Sequence, residues 1–108
     1  MKVAIAKEGQ YVSQHFGYSE GFMLYEIEED KIVKEDFVKN PGHRPGFLPN
    51  FIKDLGVNLV IAGGMGEVAQ QLFAENNIEV IVGAEGFVDD VIQLYLKKEL
   101  KSTGHVCR

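Results

Sequence analysis

Hydrophobic periodicity divides the chain near its middle. In residues 2–7, Val3 and Ile5 alternate with Ala4 and Ala6, which predicts a short strand with one branched face and one small face. Residues 10–21 mix polar and aromatic side chains without a period and are expected to form a loop. Residues 22–28 alternate again, with Phe22, Leu24 and Glu26 against Met23, Tyr25 and Ile27. Glu29 and Asp30 then read as a tight turn into a third strand over residues 31–39, whose apolar content is Ile32, Val33, Phe37 and Val38. At least one pair of these strands is expected to form a hairpin.

The second half follows a different pattern. Residues 40–46, NPGHRPG, are held open as a loop by prolines and glycines. Phe47, Leu48, Phe51, Ile52 and Leu55 recur at helical spacing, with Pro49 tolerated in the first turn and Gly56 placed as the C-terminal cap. Residues 57–62 are apolar except for Asn58, the pattern of a strand covered on both faces. After the cluster Gly63-Gly64-Met65-Gly66 comes a helix carrying Val68, Ala69, Leu72 and Phe73, which stops at Asn76-Asn77. Residues 78–82 repeat the buried-strand pattern. A last helix is expected over residues 87–100, with Val88, Val91, Ile92, Tyr95 and Leu96 inward, before a polar and loose tail over residues 101–108. The sum is one α/β domain over residues 1–108, with a mixed sheet whose C-terminal strands lie parallel through right-handed crossovers.

Composition narrows the partners. The 108 residues are 45% apolar and 25% charged, which suits a globular domain that needs no staple. Sixteen acidic against eleven basic side chains give a net charge of −5. Nucleic acid and anionic membranes require a basic footprint, so neither is expected as a partner. No run approaches the roughly 18 apolar residues of a membrane span, and the opening MKVAIAKEGQ lacks a signal peptide's apolar stretch and cleavage site. The lone Cys107 excludes an intramolecular disulfide framework. A soluble cytoplasmic protein is the expectation.

The glycine cluster carries the clearest chemistry. It follows a buried strand and opens a helix, where free N–H groups and the positive dipole end converge. Residues 64–69 satisfy the dinucleotide fingerprint GxGxxA, and Glu85 ends the next strand. That pattern supports, as an alternative function, a nucleotide- or phosphate-binding regulatory module that uses the Gly63–Gly66 turn, although the length cannot hold both mononucleotide halves. The same glycines also serve simply to turn the corner. Soft and borderline ligands are His15, His43, Met65, His105 and Cys107, spread over separate loops and the tail. Their spacing matches no compact zinc motif, so a mononuclear zinc or nickel site ranks last. Enzyme chemistry is thin: Cys107 sits next to the end of the sequence, and Glu28-Glu29-Asp30 and Asp89-Asp90 read as a solvated turn and an outer first helical turn.

Three blocks carry a family resemblance: VSQHFGYSEGFMLYEIEED at residues 12–30, VNLVIAGGMGEVAQQLFAENNIEVIVGAEG at residues 57–86, and the closing VDDVIQLYLKKEL. Together they resemble the dinitrogenase iron–molybdenum cofactor biosynthesis family. The diagnostic pieces are Ser13-x-His15-Phe16-Gly17, the aromatic strand after it and the glycine turn before the second helix. The resemblance implies a ribonuclease-H-like fold with a five-stranded mixed sheet flanked by helices. It also implies a non-catalytic carrier that binds an iron–sulfur or molybdenum-containing cluster, receives it from donor proteins and passes it to acceptors. Homo-oligomers are compatible with that role. In this reading Ser13, His15, Phe16 and Gly17 form the ligand loop, with His15 the principal metal ligand and His43 and Cys107 further ones. Gly64, Met65 and Gly66 shape the pocket floor and donate N–H groups to sulfides, and Arg44 adds a charge-assisted contact. Glu67 and Glu85 crowd the same rim. Nuclease activity is not implied, because two-metal hydrolysis needs clustered carboxylates and residues 2–7 hold none.

Overall fold

A computed structural model describes residues 1–42 and 47–100. The alternating first half forms β1 (Lys2–Glu8), β2 (Tyr11–Val12), β3 (Gly21–Glu28) and β4 (Lys31–Lys39). The second half supplies α1 (Phe47–Asp54), β5 (Leu59–Ile61), α2 (Glu67–Glu75), β6 (Glu79–Ile81) and α3 (Val88–Leu96). All six strands join one mixed sheet in the order β4-β3-β1-β5-β6, with β2 attached to β1. β1 pairs antiparallel with β3 and parallel with β5, so it is the seam between an antiparallel and a parallel half.

The alternation in β1 splits the core in two. Ala4 and Ala6 join Phe22, Leu24, Val60 and Ala62 beneath α1 and α2, which contribute Leu48, Ile52 and Phe73. Val3 and Ile5 join Tyr25, Leu59 and Ile61 beneath Val88, Val91 and Ile92 of α3. Two helices thus share the face where β1 presents alanines, and a single helix covers the face where it presents branched side chains.

Chain reversals use residues that tolerate left-handed backbone. Glu29 and Asp30 have φ of 52° and 62°, the paired positive values of a two-residue hairpin turn whose twist matches its strands. α2 ends with Asn77 at φ 59°, where Asn77 N donates to Ala74 O and Ile78 N to Phe73 O. Ile78 and Phe73 then pack in the same core, completing a Schellman stop. α3 ends the same way at Lys98, with Glu99 N donating to Leu94 O; it is therefore four residues shorter at its C-terminal end than the periodicity predicts.

Two further expectations need correction. Residues 10–21 are not simply a loop: Gly9, at φ 61°, folds Tyr11–Val12 back onto Glu8 and Lys7 as a sixth strand, and Phe16–Tyr18 form a 3₁₀ turn. Such a short strand has no room to display a period. β1 also runs one residue further, to Glu8, a carboxylate that accepts the Glu20 N–H. Of the apolar residues that mark these elements, Val33, Phe37 and Val68 are exposed. Val68 sits in the overhanging first turn of α2 and is 68% exposed, while Val33 and Phe37 lie on an edge strand.

Candidate functional site

The parallel strands β1, β5 and β6 all point toward one end of the sheet, so their following loops converge there. Backbone hydrogen bonds join those loops directly. Ser13 N donates to Ala6 O (2.8 Å), Gly63 N to Ser13 O (2.8 Å) and Phe16 N to Gly64 O (3.0 Å). On the far side Gly83 N donates to Gly63 O (2.9 Å) and Val12 N to Gly86 O (2.9 Å). The SxHFG loop and the glycine corner are therefore neighbours, with the loop after β6 alongside. This is the convergence on which a common site depends.

Local side chains fix the first loop. Ser13 Oγ donates to His15 O (3.1 Å) and accepts from His15 N (3.2 Å), a serine turn that sets the backbone at His15. Phe16 is buried against Phe22 and Phe73, with ring centroids 5.4 and 5.5 Å away, so it anchors the loop from below. His15 precedes the 3₁₀ turn in extended backbone and is exposed. Tyr18, which closes that turn, is 72% exposed. Asn40, at the end of β4, donates through Nδ2 to Gly17 O (3.2 Å) and Ser19 O (2.9 Å). The chain leaving β4 is thus tied to the same end.

At the glycine corner the three glycines differ. A Cβ on Gly63 would overlap the Gln14 amide, whose Nε2 donates to Ala84 O (3.2 Å). Glycine at this position makes room for a side chain that bridges two loops. Gly64 is buried, whereas Gly66 is exposed with open space around it. Gly66 is the N-cap of α2, at φ −66° and ψ 155°, and supplies no side-chain cap. The first-turn amides of α2 accordingly face the mouth without an intrahelical acceptor. Met65 is 1% exposed in the core below, so it supports the corner while its thioether is withdrawn from the surface.

The mouth thus gathers Ser13, His15, Phe16, Gly17, Gly64, Met65 and Gly66. His43, Arg44, His105 and Cys107 lie outside the described residues. Glu67 and Glu85 are both exposed, so neither carboxylate fills the corner. Among the described residues no group of three or more His, Cys, Asp or Glu side chains could hold a metal ion. Of His15, His43, His105 and Cys107, the residues a mononuclear zinc or nickel site would draw on, His15 is the one among the described residues. Sequence reasoning missed Gln14, Ser19 and Asn40, which shape the mouth by hydrogen bonding to main-chain carbonyls. The local signal for Gln14 and Ser19 was the polarity of residues 10–21, and for Asn40 its place at the head of the NPGHRPG segment.

The opposite ligand environment occurs under α3. The Tyr25 hydroxyl is buried without a hydrogen-bond partner among the described residues, and its pKa is pushed up to about 12 by burial, then by Asp89 and Glu35. It is held as a neutral phenol. No described helix is long and apolar enough to cross a membrane.

Comparison with known proteins agrees with this architecture. The chain is 30% identical over 106 residues to the uncharacterized protein MJ0580 of Methanocaldococcus jannaschii, covering 94% of this chain and 90% of that one. The solved structure of PH0822 superposes with a TM-score of 0.89 at 36% identity, covering 96% of each chain. The apo form of the orange protein from Desulfovibrio gigas shares the fold, with a TM-score of 0.82 at 18% identity over 99% of this chain and 96% of that one. The family model described as dinitrogenase iron-molybdenum cofactor matches residues 1–98, and the chain belongs to that family.

Proposed function

We propose that this protein is a small, non-catalytic carrier of an iron–sulfur or molybdenum-containing cluster, built as a single ribonuclease-H-like domain and exchanging its cargo with donor and acceptor proteins. The observation that carries the proposal is the pair of hydrogen bonds from Gly63 N to Ser13 O and Phe16 N to Gly64 O. They hold exposed His15 on one lip of the mouth and the uncapped start of α2 on the other. An imidazole nitrogen supplies a metal ligand, and first-turn amides supply donors for the sulfides of an anionic cluster. Few protein ligands make for easy release, as a carrier requires. The strand order, with one antiparallel and one parallel half, supports the ribonuclease-H-like assignment.

The test is anaerobic reconstitution with iron, sulfide and molybdate, followed by visible absorption and metal analysis. The wild type should acquire a chromophore that desalting does not remove. His15→Ala should reduce it several-fold, while its urea unfolding changes by less than about 0.5 kcal/mol because the side chain is exposed. A colourless wild type, or a chromophore indifferent to His15, refutes the proposal.

A further inference from the structure

β4 borders the sheet. It pairs with β3 on one side, and among the described residues no strand pairs with the other. Free edges of this length are commonly blunted by bulges or lysines. Here the bulge is confined to the step at Val33, where the register with β3 shifts; from Lys34 to Lys39 the ladder is regular. Asn40 N donates inward to Glu20 O, so alternation turns the N–H and C=O groups of Lys39, Phe37 and Glu35 outward, to the unpaired side.

Those three residues form a charge palindrome. Glu35 and Lys39 stand two positions either side of Phe37, on one face of the strand. Neither takes part in an ion pair among the described residues, where Lys2–Glu26 and Lys34–Asp36 are the pairs formed. Phe37 is 47% exposed, its ring laid over Gly21 and topped by the Lys7 ammonium at 4.9 Å. We propose that the β4 edges of two copies of this chain pair antiparallel about a two-fold axis at Phe37. Glu35 then faces the second copy's Lys39, Phe37 faces its equivalent, and Lys39 faces the second copy's Glu35. The self-complementary charges select a second copy over an unrelated strand, which would have to supply the same spacing. The antiparallel arrangement points the two mouths in opposite directions, so each is complete within its own copy. An edge contact of this length is small, which places the association in the weak class of interfaces.

Sedimentation velocity on the full chain, from about 10 µM to about 1 mM, spans the range for such a contact. The wild type should shift from monomer to dimer with concentration. Glu35→Lys and Lys39→Glu should each weaken dimerisation about tenfold or more, since both crossings become like-charged. An equimolar mixture of the two variants should dimerise again, because the mixed pair has opposite charges at both crossings. Thermal unfolding of each variant verifies that it is folded. A wild type that remains monomeric, including because the edge receives another protein's strand, overturns the proposal. So does a dimer that either single variant leaves intact, or a mixture that fails to recover.

Discussion

The two halves of the sheet meet different surroundings. β5 contributes Leu59, Val60 and Ile61, all fully buried between helices on both faces, from only a three-residue strand. β4 is three times as long and buries none of its residues fully. β5 is short because it is sandwiched: it need only span the core, and its backbone is paired with β1 on one side and β6 on the other. β4 is long and half-bare, paired with β3 alone among the described residues and held by hairpin geometry more than by burial. Stability is concentrated in the first and adaptability in the second, while the mouth lies where they join.

The contrast can be broken most forcefully in β5. Ile61→Ala should cost about 2–4 kcal/mol in urea unfolding, against less than about 0.5 kcal/mol for Val33→Ala on β4. Equal costs would abolish the distinction. A smaller effect is expected at Gly21, where a Cβ would overlap the Phe37 ring and the Val38 carbonyl. Gly21→Ala should cost about 1–3 kcal/mol. Part of that cost should vanish in a Phe37→Ala background, and a double-mutant cycle should show coupling of at least about 0.5 kcal/mol. No coupling would mean that the ring does not rest on the glycine.

The smallest effect concerns Tyr25, whose unpaired hydroxyl lies on the thinly covered side of β3. Tyr25→Phe should leave stability unchanged or raise it by up to about 1 kcal/mol. The wild-type phenol keeps its proton to about pH 12 when folded but only to about 10 when unfolded. Its contribution is therefore complete below pH 10 and is lost as pH rises toward 12, because the unfolded chain ionises first. Unfolding measured from pH 9 to 12 should fall less steeply for Tyr25→Phe than for the wild type.

Much of this was legible in the residues. Alternation located β1 and β3, the Glu29-Asp30 turn located β4, and helical spacing with Gly56 and Asn77 bounded α1 and α2. The two pieces of the mouth, SxHFG and the glycine turn, were both visible, but their adjacency depends on hydrogen bonds between distant segments that no local pattern encodes. β2 escaped notice because two residues cannot show a period. Val68 fits the apolar stripe of α2, yet that stripe begins one turn before the sheet is there to cover it. Phe37, part of the apolar content of its strand, lies half-exposed because that strand has a neighbour on one side only among the described residues.

β2 has a consequence for how the chain matures. Val12 N donates to Gly86 O, Val88 N donates to Gln10 O, and the Tyr11 and Phe87 rings stack with centroids 4.8 Å apart. This clasp joins the first hairpin to the start of the last helix. During synthesis the ribosome releases residues 10–12 long before their counterparts, and contacts of such wide sequence separation close late. A nascent chain therefore carries an unlatched entrance until its final helix emerges.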